Sequence, residues 1–68
     1  MRGMRHYVGR EVVVNSDSGD LRGKLFEVTR DMLELRETEL VQPNGPAVAL
    51  RGIVIVPLAR VQSIQVSE

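Results

Sequence analysis

The sequence predicts an all-β fold, a small and strongly bent antiparallel barrel of five strands in a chain of 68 residues. Three observations predict it. Apolar β-branched residues gather in short runs, from Val12-Val13-Val14 to Ile53-Val54-Ile55-Val56 and the closing Val61, Ile64 and Val66. Clusters of turn formers separate them, above all Asn15-Ser16-Asp17-Ser18-Gly19-Asp20 and Gln42-Pro43-Asn44-Gly45-Pro46. Gly23 interrupts an alternating stretch in the manner of a strand that bends sharply or passes close to another backbone. Such bends let a small barrel close on itself.

Met1 to His6 reads as a short N-terminal arm or a single helical turn, and residues 7–66 read as one barrel domain. Val8 and Val12 to Val14 form the first strand, and Leu21 to Val28 alternates as the second. After the short connection Thr29-Arg30-Asp31 comes the one ambiguous stretch, Met32 to Val41. Leu, Met and Glu favour helix, and Leu33, Arg36, Glu37 and Leu40 fit a helical wheel. Leu33 and Leu35 nevertheless alternate with Glu34 and Arg36 between neighbours that are strands, which makes this the third strand. Val48-Ala49-Leu50 leads through Arg51-Gly52 into Ile53 to Val56, a continuous β-branched run of the kind buried on both faces. Pro57-Leu58-Ala59-Arg60 interrupts it before the fifth strand, Val61 to Val66. There the apolar residues fall three apart and then two apart, which predicts a bulge.

A domain this short buries only about 60% of the surface its unfolded chain exposes, so it needs a staple, a very good core or a partner. With no cysteine, disulfides and thiolate zinc sites are excluded, and His6 alone builds no metal site. An apolar fraction of 43% can feed both a core and an interface. Nine basic residues balance nine acidic ones, so the chain lacks the basic excess of a general nucleic-acid binder. Tyr7 and Phe26 are its only aromatic residues, too few for a base-stacking sheet. A nucleic-acid site would have to arise by repetition, with one or two arginines per copy converging in an assembly. No apolar run has the length of a membrane span, and residues 1–10 lack the core of a signal peptide, which makes the cytoplasm the expected compartment. Eight arginines against one lysine suit a GC-rich coding genome, bacterial or phage.

The order Gly9, Val12, Val14, Gly19, Gly23, Leu25, Met32 resembles the first motif of the Sm-like family, which includes the Sm proteins and bacterial Hfq. Arg22-Gly23-Lys24-Leu25 reads like its bent second strand, and Val61-x-x-Ile64 resembles the end of the second motif. The resemblance runs from Tyr7 to Val66 and implies a five-stranded Sm-like, SH3-like barrel. It further implies a homo-oligomeric ring of roughly six or seven copies that binds single-stranded RNA at its pore, without cofactor or catalysis. The departures fall on the functional positions. Leu33 stands where Sm proteins carry a base-contacting asparagine, and the usual acidic residue of that loop falls near Thr29. Pro57-Leu58-Ala59-Arg60 replaces the Arg-Gly of the second motif, and Leu58-Ala59 the Lys-His of Hfq.

The resemblance places the loops after strands two and four around the pore, which makes Arg30, Asp31 and Arg60 the candidate RNA-binding residues. An arginine can stack on a base or pair with a phosphate; the bland alternative is a solvated arginine or a partner for Asp31. Strand edges supply the candidate interface: Ile53, Val54, Ile55 and Val56 of one copy against Val61, Ile64 and Val66 of the next. The competing reading is a protein-interaction or structural assembly barrel with no nucleic-acid role. The oxygen-rich 15–20 run lacks the distal glutamate of a calcium loop and reads as a turn. His6 with Ser16 or Ser18 has no nucleophile elbow or oxyanion pattern to make it catalytic.

Overall fold

The computed structural model describes residues 3–17 and 19–67. The start of the expected arm (Met1 and Arg2), Ser18 of the first turn, and Glu68 lie outside the described residues. A 3-10 turn at Met4–Tyr7 precedes strand β1 (Glu11–Ser16). Then follow β2 (Gly19–Val28), β3 (Met32–Val41), β4 (Val48–Leu50) and β5 (Val54–Pro57), a second 3-10 turn at Leu58–Arg60, and β6 (Val61–Val66).

All pairings are antiparallel, in the order β4-β3-β2-β1-β6, with β5 also paired to β3. The long central strand β3 therefore carries two short partners on one edge, β4 along Thr38–Leu40 and β5 along Met32–Leu35. The expected lead-in Val48-Ala49-Leu50 is thus a strand of its own. Gly52, at φ 78°, turns the chain between the two, a conformation that glycine takes without strain.

The sheet curls round one core. Val12, Val14, Leu25, Leu33 and Leu35 are fully buried, joined by Val28 and Val56, and Leu21, Val54, Leu58, Val61, Ile64 and Val66 pack against them. Residues from β5 and β6 reach this core from the two ends of the sheet, yet the two strands are not paired with each other.

Three bulges curve the sheet. In β6 the step from Asn15↔Ser63 to Ser16↔Val61 leaves Gln62 as the extra residue, where the apolar spacing predicts it. Between Arg22↔Glu39 and Lys24↔Arg36 the extra residue is on β3, and there Glu37 takes a left-handed φ of 52°. Between Leu25↔Leu35 and Glu27↔Glu34 it is Phe26, on β2. Gly23 lies opposite the first of these two. A Cβ there would stand 2.7 Å from Thr38 Oγ1 and 3.0 Å from the Arg36 carbonyl oxygen, so only a glycine admits this approach.

One expectation needs correction. Ile53 to Val56 is not buried on both faces within the chain: Val56 enters the core, while Ile53 and Ile55 remain 47% and 55% exposed. Their side chains leave the barrel on the face opposite the core, where the chain has no layer to cover them.

Candidate nucleic-acid interface

Two loops meet at one end of the barrel. The first, Thr29-Arg30-Asp31, is closed by its threonine: the Thr29 amide donates to the Met32 carbonyl at 2.9 Å, and the amides of Asp31 and Met32 donate to Thr29 Oγ1 at 3.4 and 3.2 Å. A hydroxyl accepting from the amides two and three residues on is the local device that makes such turns. Thr29 thus does the turn-closing that a carboxylate would do at the same place, and leaves Arg30 and Asp31 pointing to solvent.

The second loop is the 3-10 turn Leu58–Arg60. It follows Pro57, which cannot extend the ladder with an N–H donor. The Met32↔Pro57 pairing and the bond from the Leu58 amide to the Asp31 carbonyl, 2.9 Å, hold the two loops side by side. The Arg60 carbonyl accepts from the Asp17 amide at 3.3 Å, which ties the second loop to the β1–β2 turn as well. The fold therefore brings Arg30, Asp31 and Arg60 to the same end.

The side chains of all three are exposed and make no hydrogen bond or ion pair among the described residues. Among the described residues the one ion pair is Arg22–Glu39, at 3.4 Å on the surface. The two arginines are accordingly not neutralised by Asp31 within the chain. Leu33, at the position that the family resemblance gives to a base-contacting asparagine, is fully buried and serves the core.

The expected interface residues lie on or beside β5 and β6, which each pair on one side only. Val54, Val61, Ile64 and Val66 are half-buried against the core, Val56 is buried, and Ile53 and Ile55 are the exposed members. Among the described residues no group of three or more His, Cys, Asp or Glu side chains is placed to hold a metal ion. No helix among them is long and apolar enough to cross a membrane.

Sequence reasoning misses one feature. A groove of about 420 Å³ lies between the first 3-10 turn and the end of β2, lined by residues that include Arg5, Val8, Phe26, Glu27, Thr29 and Arg30. The available signal is the step of three from Leu25 to Val28, which breaks the alternation and announces the β2 bulge.

No protein-family model matches the sequence, and no curated protein matches it either. Solved structures do match. A heptameric archaeal Sm protein superimposes with a TM-score of 0.82 at 25% identity, covering 96% of each chain. A chain in the crystal structure of the NatC complex bound to CoA superimposes with a TM-score of 0.83 at 21% identity, covering 100% of this chain and 88% of that one. With its bent β2, its central β3 and its outer strands β4, β5 and β6 each paired on one side only, the chain has the Sm-like fold.

Proposed function

We propose that the chain assembles edge to edge into a closed homo-oligomeric ring and binds single-stranded RNA at the loops which that ring gathers round its centre. One observation carries the reading: β5 and β6 each pair on one side only, and beside the open edge of β5 the apolar Ile53 and Ile55 are exposed. An unpaired apolar edge is an aggregation hazard in a monomer. Pairing β5 of one copy with β6 of the next satisfies both edges, and a heterologous contact that closes gives a ring. The likeness to a heptameric Sm protein supports this assembly. The expected ring has six or seven copies, by family resemblance, and works in the cytoplasm as a binding protein without catalysis.

In such a ring Arg30 and Arg60 recur with every copy. A chain of zero net charge thereby concentrates cations where the loops converge, which is how a neutral protein can hold a polyanion. The binding is expected to weaken steeply with salt and to fall on Arg60→Ala.

Light scattering on a sizing column, in low and moderate salt, tests the assembly. One species of six or seven copies supports the ring, and a monomer sinks both the ring and its central site. Titration of a labelled single-stranded RNA then tests the ligand: affinity untouched by Arg60→Ala removes the RNA claim.

The second reading, a barrel that serves protein assembly alone, is favoured by two observations. Leu33 is buried where a base contact is required, and a chain of the multi-protein NatC complex shares the fold. Under that reading the ring or its edges form, while RNA titrations show no salt-sensitive binding.

A further inference from the structure

The β3–β4 turn is a motif that neither the core nor the loops around Arg30 and Arg60 use. Gln42-Pro43-Asn44-Gly45-Pro46 stands between the end of β3 at Val41 and the start of β4 at Val48. The β3–β4 ladder stops at Leu40↔Val48, so turn chemistry alone holds the residues beyond it. Pro43 and Pro46 have no N–H with which to extend that ladder. All residues from 42 to 49 are exposed.

Asn15 and Asn44 are the two asparagines of the chain, and their surroundings differ. Asn15 lies within β1, with Asp20 of β2 on one side and Ser63 of β6 on the other. Its Oδ1 accepts a hydrogen bond from the Ser63 hydroxyl at 2.7 Å, and Ser16 after it also stands in the sheet. Asn44 sits in the exposed turn, where its side chain has no hydrogen-bond partner among the described residues. The residue after it is a glycine, and a Cβ there would meet only Gln42 Oε1, at 3.9 Å, besides its chain neighbours. Asparagine is a thermolabile residue. A following glycine leaves its carboxamide the least hindered path to the next main-chain nitrogen.

We propose that Asn44 is a site of spontaneous covalent modification, in which its side-chain amide is lost and an aspartate or isoaspartate takes its place. The Gly45 main-chain nitrogen, its proton removed by hydroxide, attacks Asn44 Cγ. The N–Cγ bond forms, the Cγ–Nδ2 bond breaks, and the amide leaves as ammonia with a proton taken from water. Water then opens the resulting succinimide at either carbonyl. Breaking the new N–Cγ bond gives aspartate, and breaking the bond to the original main-chain carbonyl gives isoaspartate. The balance is one water consumed and one ammonia released, with no oxidant or cofactor. Each copy of a chain with zero net charge thereby gains one negative charge at the tip of the β3–β4 turn. Isoaspartate also lengthens the main chain by one carbon, which a surface loop absorbs at little cost. Asn15 is spared, because its ring closure would have to pull Ser16 out of the ladder. The inference depends neither on the ring nor on RNA.

Ageing the folded full chain in mildly alkaline buffer tests it, with ion-exchange chromatography and peptide mass mapping at intervals. A free peptide of residues 41–47 is aged beside it as the unprotected reference. An acidic species is expected to accumulate with the mass gain of exchanging NH2 for OH, mapped to Asn44, while Asn15 stays intact. Its rate should rise with pH, because the attacking nitrogen must first lose its proton. Asn44→Gln should abolish the species, and Gly45→Ala should slow its appearance severalfold. Gly45 does not have a positive φ and has room for a methyl group, so the alanine variant keeps the fold, which circular dichroism checks. A chain that keeps its charge while the free peptide loses ammonia overturns the inference, since the turn would then protect Asn44. Modification at Asn15 in place of Asn44, or a rate indifferent to Gly45→Ala, overturns it as well.

Discussion

The inner sheet and the outer strands use the same apolar chemistry with opposite results. On β1, β2 and β3 the inward residues Val12, Val14, Leu25, Leu33 and Leu35 are all fully covered by the chain itself. On β5 the chain buries Val56 but leaves Ile55 more than half exposed, at 55%. Full burial of an isoleucine is worth about 1.5–3 kcal/mol, and Ile55 forgoes roughly half of that. The inner sheet therefore specifies the fold of the chain, whereas β5 carries apolar surface that the chain itself does not cover.

The largest expected effect breaks the inner sheet. Leu35→Ala removes a fully buried side chain, and leucine truncations in cores cost about 2–5 kcal/mol. For a domain this small that is most of its stability. Urea unfolding followed by circular dichroism should show the midpoint collapse; a midpoint shifted only slightly would mean that the core relaxes to fill the space.

Gly23→Ala comes next. The new methyl would meet Thr38 Oγ1 at 2.7 Å, the Arg36 carbonyl at 3.0 Å and Thr38 Cα at 3.1 Å. Backbone forms two of the three contacts and cannot swing away, so a cost of about 1–3 kcal/mol is expected. Thr38 is 1% exposed and its hydroxyl has no partner in the structure. Thr38→Ala should therefore recover part of the loss but not all of it, because the main-chain contacts remain. Full recovery in the double-mutant cycle would show that the hydroxyl alone sets the requirement for glycine.

Ile55→Lys tests the contrast from the other side. On the exposed face of β5 it should alter the stability of the folded copy by no more than about 0.5 kcal/mol, while reducing the solution mass of the assembly. A loss of folding comparable to that of Leu35→Ala would place Ile55 inside the copy and erase the distinction between sheet and edge.

This distinction also marks what the sequence could convey. Alternation at Val12 and Val14, the close approach at Gly23 and the bulge between Val61 and Ile64 are local consequences of period and size, and they were legible. The helix-like spacing of Leu33, Arg36, Glu37 and Leu40 is the footprint of the β3 bulge at Glu37: one added residue converts a step of two into a step of three. The same arithmetic between Leu25 and Val28 hid Phe26 and its groove. The run Ile53 to Val56 announced apolar surface without saying that the chain leaves Ile53 and Ile55 exposed. Arg30, Asp31 and Arg60 came from a resemblance between sequences; their meeting at one end depends on the long-range Met32↔Pro57 pairing, which no local pattern encodes.

The smallest expected effect lies on the outer face of the inner sheet, where Glu27 and Glu34 sit directly opposite each other. A hydrogen bond between the two carboxyls holds the Glu34 pKa above its ordinary 4.5, with burial and the Glu27 charge acting in the same direction and Arg36 opposing them. A raised folded value means that the folded chain holds this proton more tightly than the unfolded one. The associated stability is therefore fully present below pH 4.5 and is lost as the pH rises through the raised folded value. Glu34→Gln keeps a hydrogen-bond donor beside Glu27 at every pH and removes one of two facing charges. Its advantage in Tm over the parent should be greatest near neutral pH, shrink as acid supplies the parent with the same proton, and diminish with added salt because the pair is open to solvent. An advantage of constant size across that range would mean that the two carboxyls do not share a proton, and that like charges can face each other on this sheet at no cost to the fold.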